Sequence, residues 1–263
     1  MLTQFIILIL IVGIVTAAIG VRFDRFFTLI LLIFIFGKSI FEGVDILLWI
    51  ILFGTLMILI ENKNAIFRLE KKMKVKMFLV VPILTALATL LGSYLFSIST
   101  KKVIFITLGI IAVLYGLRLI FIHFKEDEFT YENSKPHFVK FCSLFGPIIS
   151  GLSLGFIGTS LKPIKLPFAV KLGKMNMKQV YLGNVVSSFF ASIFALIWHN
   201  GVFSTLKIDI KFEYFLLAAA LWTGMHFVAE FTNLLFRQSW KKYFQILVGL
   251  GLLAASIKIF ILS

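Results

Sequence analysis

Residues 146–173 read GPIISGLSLGFIGTSLKPIKLPFAVKLG, and this is where the sequence could hold an anion. Gly146, Ser150, Gly151, Ser153, Gly155 and Gly158 are small residues of the kind that let apolar helices approach closely. Pro163 and Pro167 donate no backbone hydrogen bond and disfavour helical geometry just before them, so the helix should break near 158–163. Amides freed at such a break, with the start of the next helical piece, make an anion site. Gly158, Thr159 and Ser160 stand at the break, the last two adding hydroxyls. Lys162 and Lys165 add positive charge, which is costly at membrane depth unless it has a task. The other reading is an interfacial loop whose lysines reach headgroups.

Three further groupings could do chemistry. Arg22, Asp24 and Arg25 occupy the matching position of the first half, as a second anion cradle or as a cytoplasmic turn held by a surface ion pair. Asn184, Ser187 and Ser188 fall three to four apart, on one helical face, where they would bind a small anion or bond a neighbouring helix. His226 and Glu230 are four apart and face the same way, as a proton carrier or as a pair near a helix end. A membrane enzyme would need a buried acid–base pair with a third partner, and only His226 and Glu230 qualify for two of those roles. The chain contains no metalloprotease motif, nucleophile elbow or phosphate loop, and His123, His137, His199 and His226 are scattered. A lone Cys142 gives no internal disulfide and no thiolate metal site. No cofactor is expected.

The elements that must carry these residues are membrane helices. Of 263 residues, 60% are hydrophobic and 14% charged, with a mean hydropathy of +1.04. A soluble domain has about 25% charged residues. The net charge of +14 sits in short clusters between apolar blocks, the pattern of cytoplasmic loops and not of a nucleic-acid groove. Apolar runs predict helices near 4–20, 44–60, 77–97, 103–122, 141–158, 179–198, 213–236 and 243–262, with a short run at 26–36 and a broken piece at 159–178. Residues 61–76 read as a basic loop and 123–140 as a polar cytoplasmic linker. The runs are too long and unalternating for barrel strands.

The linker divides the chain into an N-terminal repeat, 1–122, and a C-terminal repeat, 141–263. Ile19-Gly20 matches Ile157-Gly158, Lys101-Lys102 matches Lys241-Lys242, and Gly109 and Arg118 match Gly249 and Lys258. Five segments per half would give the halves opposite orientation, the inverted-repeat plan of secondary transporters. The expectation is an all-α integral membrane protein of about 8–10 segments, with broken or re-entrant pieces. Met1 to Gln4 carry no Lys or Arg, so the first segment reads as a retained helix with its N-terminus outside. The heavier basic clusters then face the cytoplasm.

The segment Gly158 to Pro167 resembles the GxGGGPxxxP signature of the TauE/SafE family of sulfite and organosulfonate exporters. Tyr181-Leu182-Gly183-Asn184 stands where that family has A-x-G-T-S, and residues 19–121 are similar to its other repeat in layout. Ser160-Leu161-Lys162 replaces the glycine triplet, Asn184 the threonine, and Val21-Arg22-Phe23 the first-half signature. The resemblance implies a plasma-membrane permease exporting small sulfur-containing anions, such as sulfite or sulfoacetate. Arg22, Arg25, Gly158, Thr159, Ser160, Lys162, Lys165, Asn184 and Ser187 would bind the anion at a midplane site between inverted repeats, with His226 and Glu230 open to proton coupling. Its partners are then the anion and membrane lipid, with no nucleic acid, and homo-oligomerisation stays open. The alternative is a membrane-embedded scaffold or assembly factor that docks another protein's helix in its broken segments without transport, an activity that bulky residues at Gly151 or Gly155 would abolish.

Overall fold

Long apolar segments can satisfy their backbone in lipid only by closing their hydrogen bonds internally, and this chain does so as helices. A computed structural model describes residues 2–19, 25–67, 71–121, 136–159, 177–199, 212–235 and 238–262. Among the described residues there is no strand. The helices are α1 (Leu2–Ile19), α2 (Arg25–Phe34), α3 (Ile40–Glu61), the short α4 (Lys63–Phe67) and α5 (Lys71–Val75), and α6 (Val81–Ile98), entered through a π-helical turn at Lys76–Val80. Then follow α7 (Lys101–Phe121), α8 (Pro136–Ile157), α9 (Met177–Ile197), α10 (Phe212–Leu235) and α11 (Gln238–Leu262). Among the described residues, four stretches are long and apolar enough to cross a bilayer: Ile40–Glu61, Phe78–Ile98, Lys101–Phe121 and Lys242–Ile261. Shorter apolar helices cover Ile6–Ala17, Arg25–Phe34, Phe145–Ile157 and Leu182–Ile197.

Local chemistry sets the helix ends. α3 starts four residues before the expected run because Ser39 and Glu42 form a capping box. The Glu42 carboxylate accepts from the Ser39 amide at 3.0 Å, and the Ser39 hydroxyl accepts from the Glu42 amide at 3.2 Å. Left-handed Gly37 (φ 62°) precedes it. α8 begins at Pro136, inside the stretch expected to be linker, since proline's missing N–H is no loss at a first helical position. The rest of that linker lies outside the described residues. Residues 61–76 are not simply a loop: α4 and α5 form there, from a segment rich in lysine and other good helix formers.

The described residues group into two compact units, each drawing on both halves of the sequence. One holds α1, α2, the start of α3, α7, α10 and α11; the other holds the rest of α3, α4 to α6, α8 and α9. In the first unit, α1 packs on α10 and α7 on α11. A Cβ on Gly13 would lie 2.5 Å from Val228, and one on Gly224 would lie 2.9 Å from Ile9, so α1 and α10 run in the same direction. Gly116 and Gly249 face each other, each Cβ position 2.8 Å from the other's carbonyl oxygen. Gly109 meets the Phe260 ring, so α7 and α11 run antiparallel.

In the second unit α6, α8 and α9 pack on one another. Gly151 of α8 abuts the Thr85 carbonyl of α6, Gly155 abuts the Thr89 carbonyl, and Gly92 abuts the Leu152 carbonyl. These pairs rise together along both helices, so α6 and α8 are parallel and touch backbone to backbone. Any side chain at the three glycines would force the helices apart. Gly155→Ala or Gly92→Ala is expected to lower thermal stability in detergent by about 1–3 kcal/mol. Gly251→Ala, which meets open space on α11, is expected to be neutral or slightly stabilising. Equal unfolding temperatures for Gly155→Ala and Gly251→Ala would contradict this packing.

Candidate functional site

In the second unit, α6, α8 and α9 pack on one another and each buries polar groups. α8 ends at Ile157, and Gly158 turns the chain in the left-handed conformation (φ 69°), its amide donating to the Leu154 carbonyl at 2.9 Å. Thr159 follows, buried. Asn184, Ser187 and Ser188 of α9 are buried as well, together with Ser192 one turn on. α6 adds buried Thr85, Thr89 and Ser93, and α8 adds Ser150 and Ser153. The structure thus brings Gly158, Thr159, Asn184 and Ser187 into one unit. Ser160, Lys162 and Lys165 lie outside the described residues.

Many of these hydroxyls are already engaged. Ser187 donates to the Gly183 carbonyl at 2.6 Å, Thr85 to Val81 and Thr89 to Thr85 at 2.7 Å, and Ser192 to Phe189 at 2.8 Å. Bonding back to the same helix satisfies a hydroxyl without water. It also leaves those oxygens facing the interior as acceptors. An anion needs donors, so these four would have to rotate away from their helix to bind one.

His199 closes the same region and was not singled out in the sequence. It follows α9 in a short π-turn and stacks on Phe96, with ring centroids 5.0 Å apart and planes 9° apart. Its Nε2 lies 3.4 Å from the Gly155 carbonyl oxygen. That oxygen can only accept, so the contact requires the tautomer with the proton on Nε2. Ser93 donates to the same carbonyl at 3.4 Å. In the sequence His199 stands just past the helix expected near 179–198, and only a stacking partner distant in sequence marks it.

In the first unit two charged residues are buried. Arg25, at the start of α2, is 8% exposed, and Asp45, in α3, is 3% exposed. Both have interaction partners. A surface ion pair at the turn, one of the two expectations for Arg25, does not fit a guanidinium this buried. Arg22 and Asp24 lie outside the described residues. Asp45 is the one charged residue between Gly43 and Ile60, and in the sequence it stands at the edge of the helix expected near 44–60. Trp49, four residues on, shares its helical face, and its buried indole N–H has no hydrogen-bond partner among the described residues. Trp49 packs edge-on against Phe215 at 6.1 Å.

His226 and Glu230 do pair, with Nε2 3.2 Å from the carboxylate. Trp222, a turn earlier, stacks on the imidazole at 5.1 Å and 5°. The Glu230 side chain is 65% exposed, so the pair lies on an open face of α10 and not in the interior of its unit.

Charged groups this deep in apolar surroundings survive only with compensation, so truncating one leaves its partner exposed to the cost. Asp45→Ala is expected to lower stability by roughly 3–5 kcal/mol, while Asp45→Asn, which keeps hydrogen bonds, costs less. Equal thermal unfolding of both variants and the parent protein would show that Asp45 is not compensated in this way. Comparison with protein-family models, with curated proteins and with solved structures finds no match for this chain.

Proposed function

We propose that this chain is a secondary transporter built from two inverted repeats, and that it carries small sulfur-containing anions outward across the plasma membrane. The observation that carries the proposal is a correspondence of helix contacts. Aligning the halves on Ile19-Gly20 and Ile157-Gly158 carries Gly13 onto Gly151. Aligning them on Lys101-Lys102 and Lys241-Lys242 carries Thr85 and Ala88 onto Met225 and Val228. Gly13 abuts Val228 and the Met225 carbonyl; Gly151 abuts Ala88 and the Thr85 carbonyl. The same alignment carries Gly109 and Ile120 onto Gly249 and Phe260. Gly109 abuts Phe260, and Gly249 abuts Ile120 at 2.8 Å. Exchanging the halves therefore maps each contact onto another contact. The antiparallel crossing of α7 and α11, which are equivalents of each other, is what opposite orientation of the halves requires.

Inverted repeats with interrupted helices are a recurring plan of secondary transporters, with anions held at helix ends and unwound backbone. Here the helix end is Ile157 to Thr159, in the same unit as Asn184 and Ser187 and next to the His199 end of α9. The two alignments bracket Asp45 against Asn184 to within one residue, so both halves bury a polar side chain at this register. Arg25 supplies a buried positive charge in the other unit. The sulfur-anion cargo comes from the resemblance of residues 158–167 to the exporter signature. Lys162 and Lys165 belong to that motif and are included in the proposal on its strength alone. For an anion, a negative-inside potential itself favours export.

The scaffold alternative draws less support. Gly151 and Gly155, where bulky residues were expected to abolish docking, are covered by α6 of the same unit, so substitutions there report on folding and not on docking.

Purified protein in proteoliposomes, with an imposed negative-inside potential, tests the proposal. Sulfite, sulfoacetate, taurine, sulfate and acetate would be loaded in turn. Sulfite or sulfoacetate is expected to leave several-fold faster than acetate. A hydrogen bond to a charged group contributes about 1.5–3 kcal/mol, so Asn184→Ala should slow that flux by about tenfold or more. Flux of every anion at the rate of protein-free liposomes would contradict the proposal.

A further inference from the structure

The segment between α3 and α6 has a geometry that the transport proposal does not use. α5, the π-turn and α6 form one continuous helical run, since the residues flanking the turn, Val75 and Val81, are both right-handed helical. The stretch of this run apolar enough to cross a bilayer starts at Phe78. Residues 71–77 therefore project about 10 Å beyond it, at 1.5 Å per residue. The headgroup layer is about 5–8 Å thick on each side of the hydrocarbon core. The preceding span ends at Glu61, so residues 62–77 leave and re-enter the bilayer on one face. Lys74 Nζ donates to the Phe67 carbonyl at 2.8 Å, tying α5 to the end of α4.

Its side chains divide by chemistry. Residues 61–76 hold Lys63, Arg68, Lys71, Lys72, Lys74 and Lys76 against two carboxylates, Glu61 and Glu70. Lys63 and Lys71 are exposed. Beside them Phe67 is 75% exposed and Leu79 56% exposed, with Val75, Phe78 and Val80 also open. A water-facing loop would gain nothing from an aromatic ring held outward. A short basic segment that lays apolar side chains into the acyl boundary, with its lysines at phosphate level, is how interfacial helices bind anionic lipid.

We infer that residues 62–67 and 71–77 bind the headgroups of anionic phospholipids, with Lys63 and Lys71 meeting lipid phosphates and Phe67 inserted beside them. On the topology expected from the charge pattern this is the cytoplasmic leaflet, which carries the anionic lipid. The inference is independent of what the protein transports. It recognises a lipid-borne phosphate and not a free one, because half of the surface is apolar.

The test uses the full chain purified in neutral detergent, with unfolding temperature read on adding phosphatidylglycerol, phosphatidylcholine at equal concentration, or inorganic phosphate. The parent protein is expected to be stabilised more by phosphatidylglycerol than by phosphatidylcholine, the excess shrinking with added salt. Lys63→Gln with Lys71→Gln should remove at least half of the excess while leaving the phosphatidylcholine response unchanged. Lys63→Arg with Lys71→Arg should retain it. The inference is overturned if the parent shows no excess, if the glutamine variant keeps all of it, or if inorganic phosphate reproduces it.

Discussion

Direct contact of helix backbones through glycine is the interaction on which the rest of this structure depends. In lipid, apolar side chains gain little by leaving one apolar surrounding for another, so helices adhere by close packing and by polar contacts. Gly92, Gly151 and Gly155 let α6 and α8 approach until carbonyls of one meet the Cα positions of the other. That approach brings the Gly155 carbonyl to Ser93 and His199, and so places the end of α8 beside the C-terminal end of α9. Without the glycines, neither the buried hydroxyls nor the turn at Gly158 would have a fixed position.

Most of the helical layout was legible in the sequence, because long apolar runs in lipid have few alternatives. Expected and observed helix ends differ by a few residues, and the differences have local causes. The Ser39–Glu42 box drew α3 backward and so moved Asp45 from the edge of a helix into one. Pro136 opened α8 inside the polar stretch. The polar faces were only partly legible. Asn184, Ser187 and Ser188 stand out by helical spacing and Arg25 by its place at the break, whereas Asp45 owes its meaning to burial and His199 to neighbours remote in sequence. A single charge or ring in a row of letters carries no sign of either. The pairing of His226 with Glu230 was legible from spacing, but its exposure was not.

The correspondence between Gly13 with Val228 and Gly151 with Ala88 links sequence to architecture in a way that identity between the halves does not. Of the residues in those contacts only the glycines are shared, since Thr85, Ala88 and Ile120 stand opposite Met225, Val228 and Phe260. What recurs is a small residue where two backbones must meet. Such positions accept almost nothing else, so they persist while lipid-facing neighbours drift. The buried polar register at Asp45 and Asn184 follows the same logic with different chemistry in each half, a carboxylate in one and an amide in the other.

The central claim is that the two halves lie in the membrane with opposite orientation, and sidedness of labelling tests it most directly. With Cys142 replaced by serine, single cysteines at the exposed, equivalent positions Lys102 and Lys242 would be challenged in sealed vesicles with a membrane-impermeant maleimide. The account predicts that one position is labelled from outside and the other only after the vesicles are opened. Labelling of both from the same side would contradict the inverted repeat and, with it, the transporter built on it.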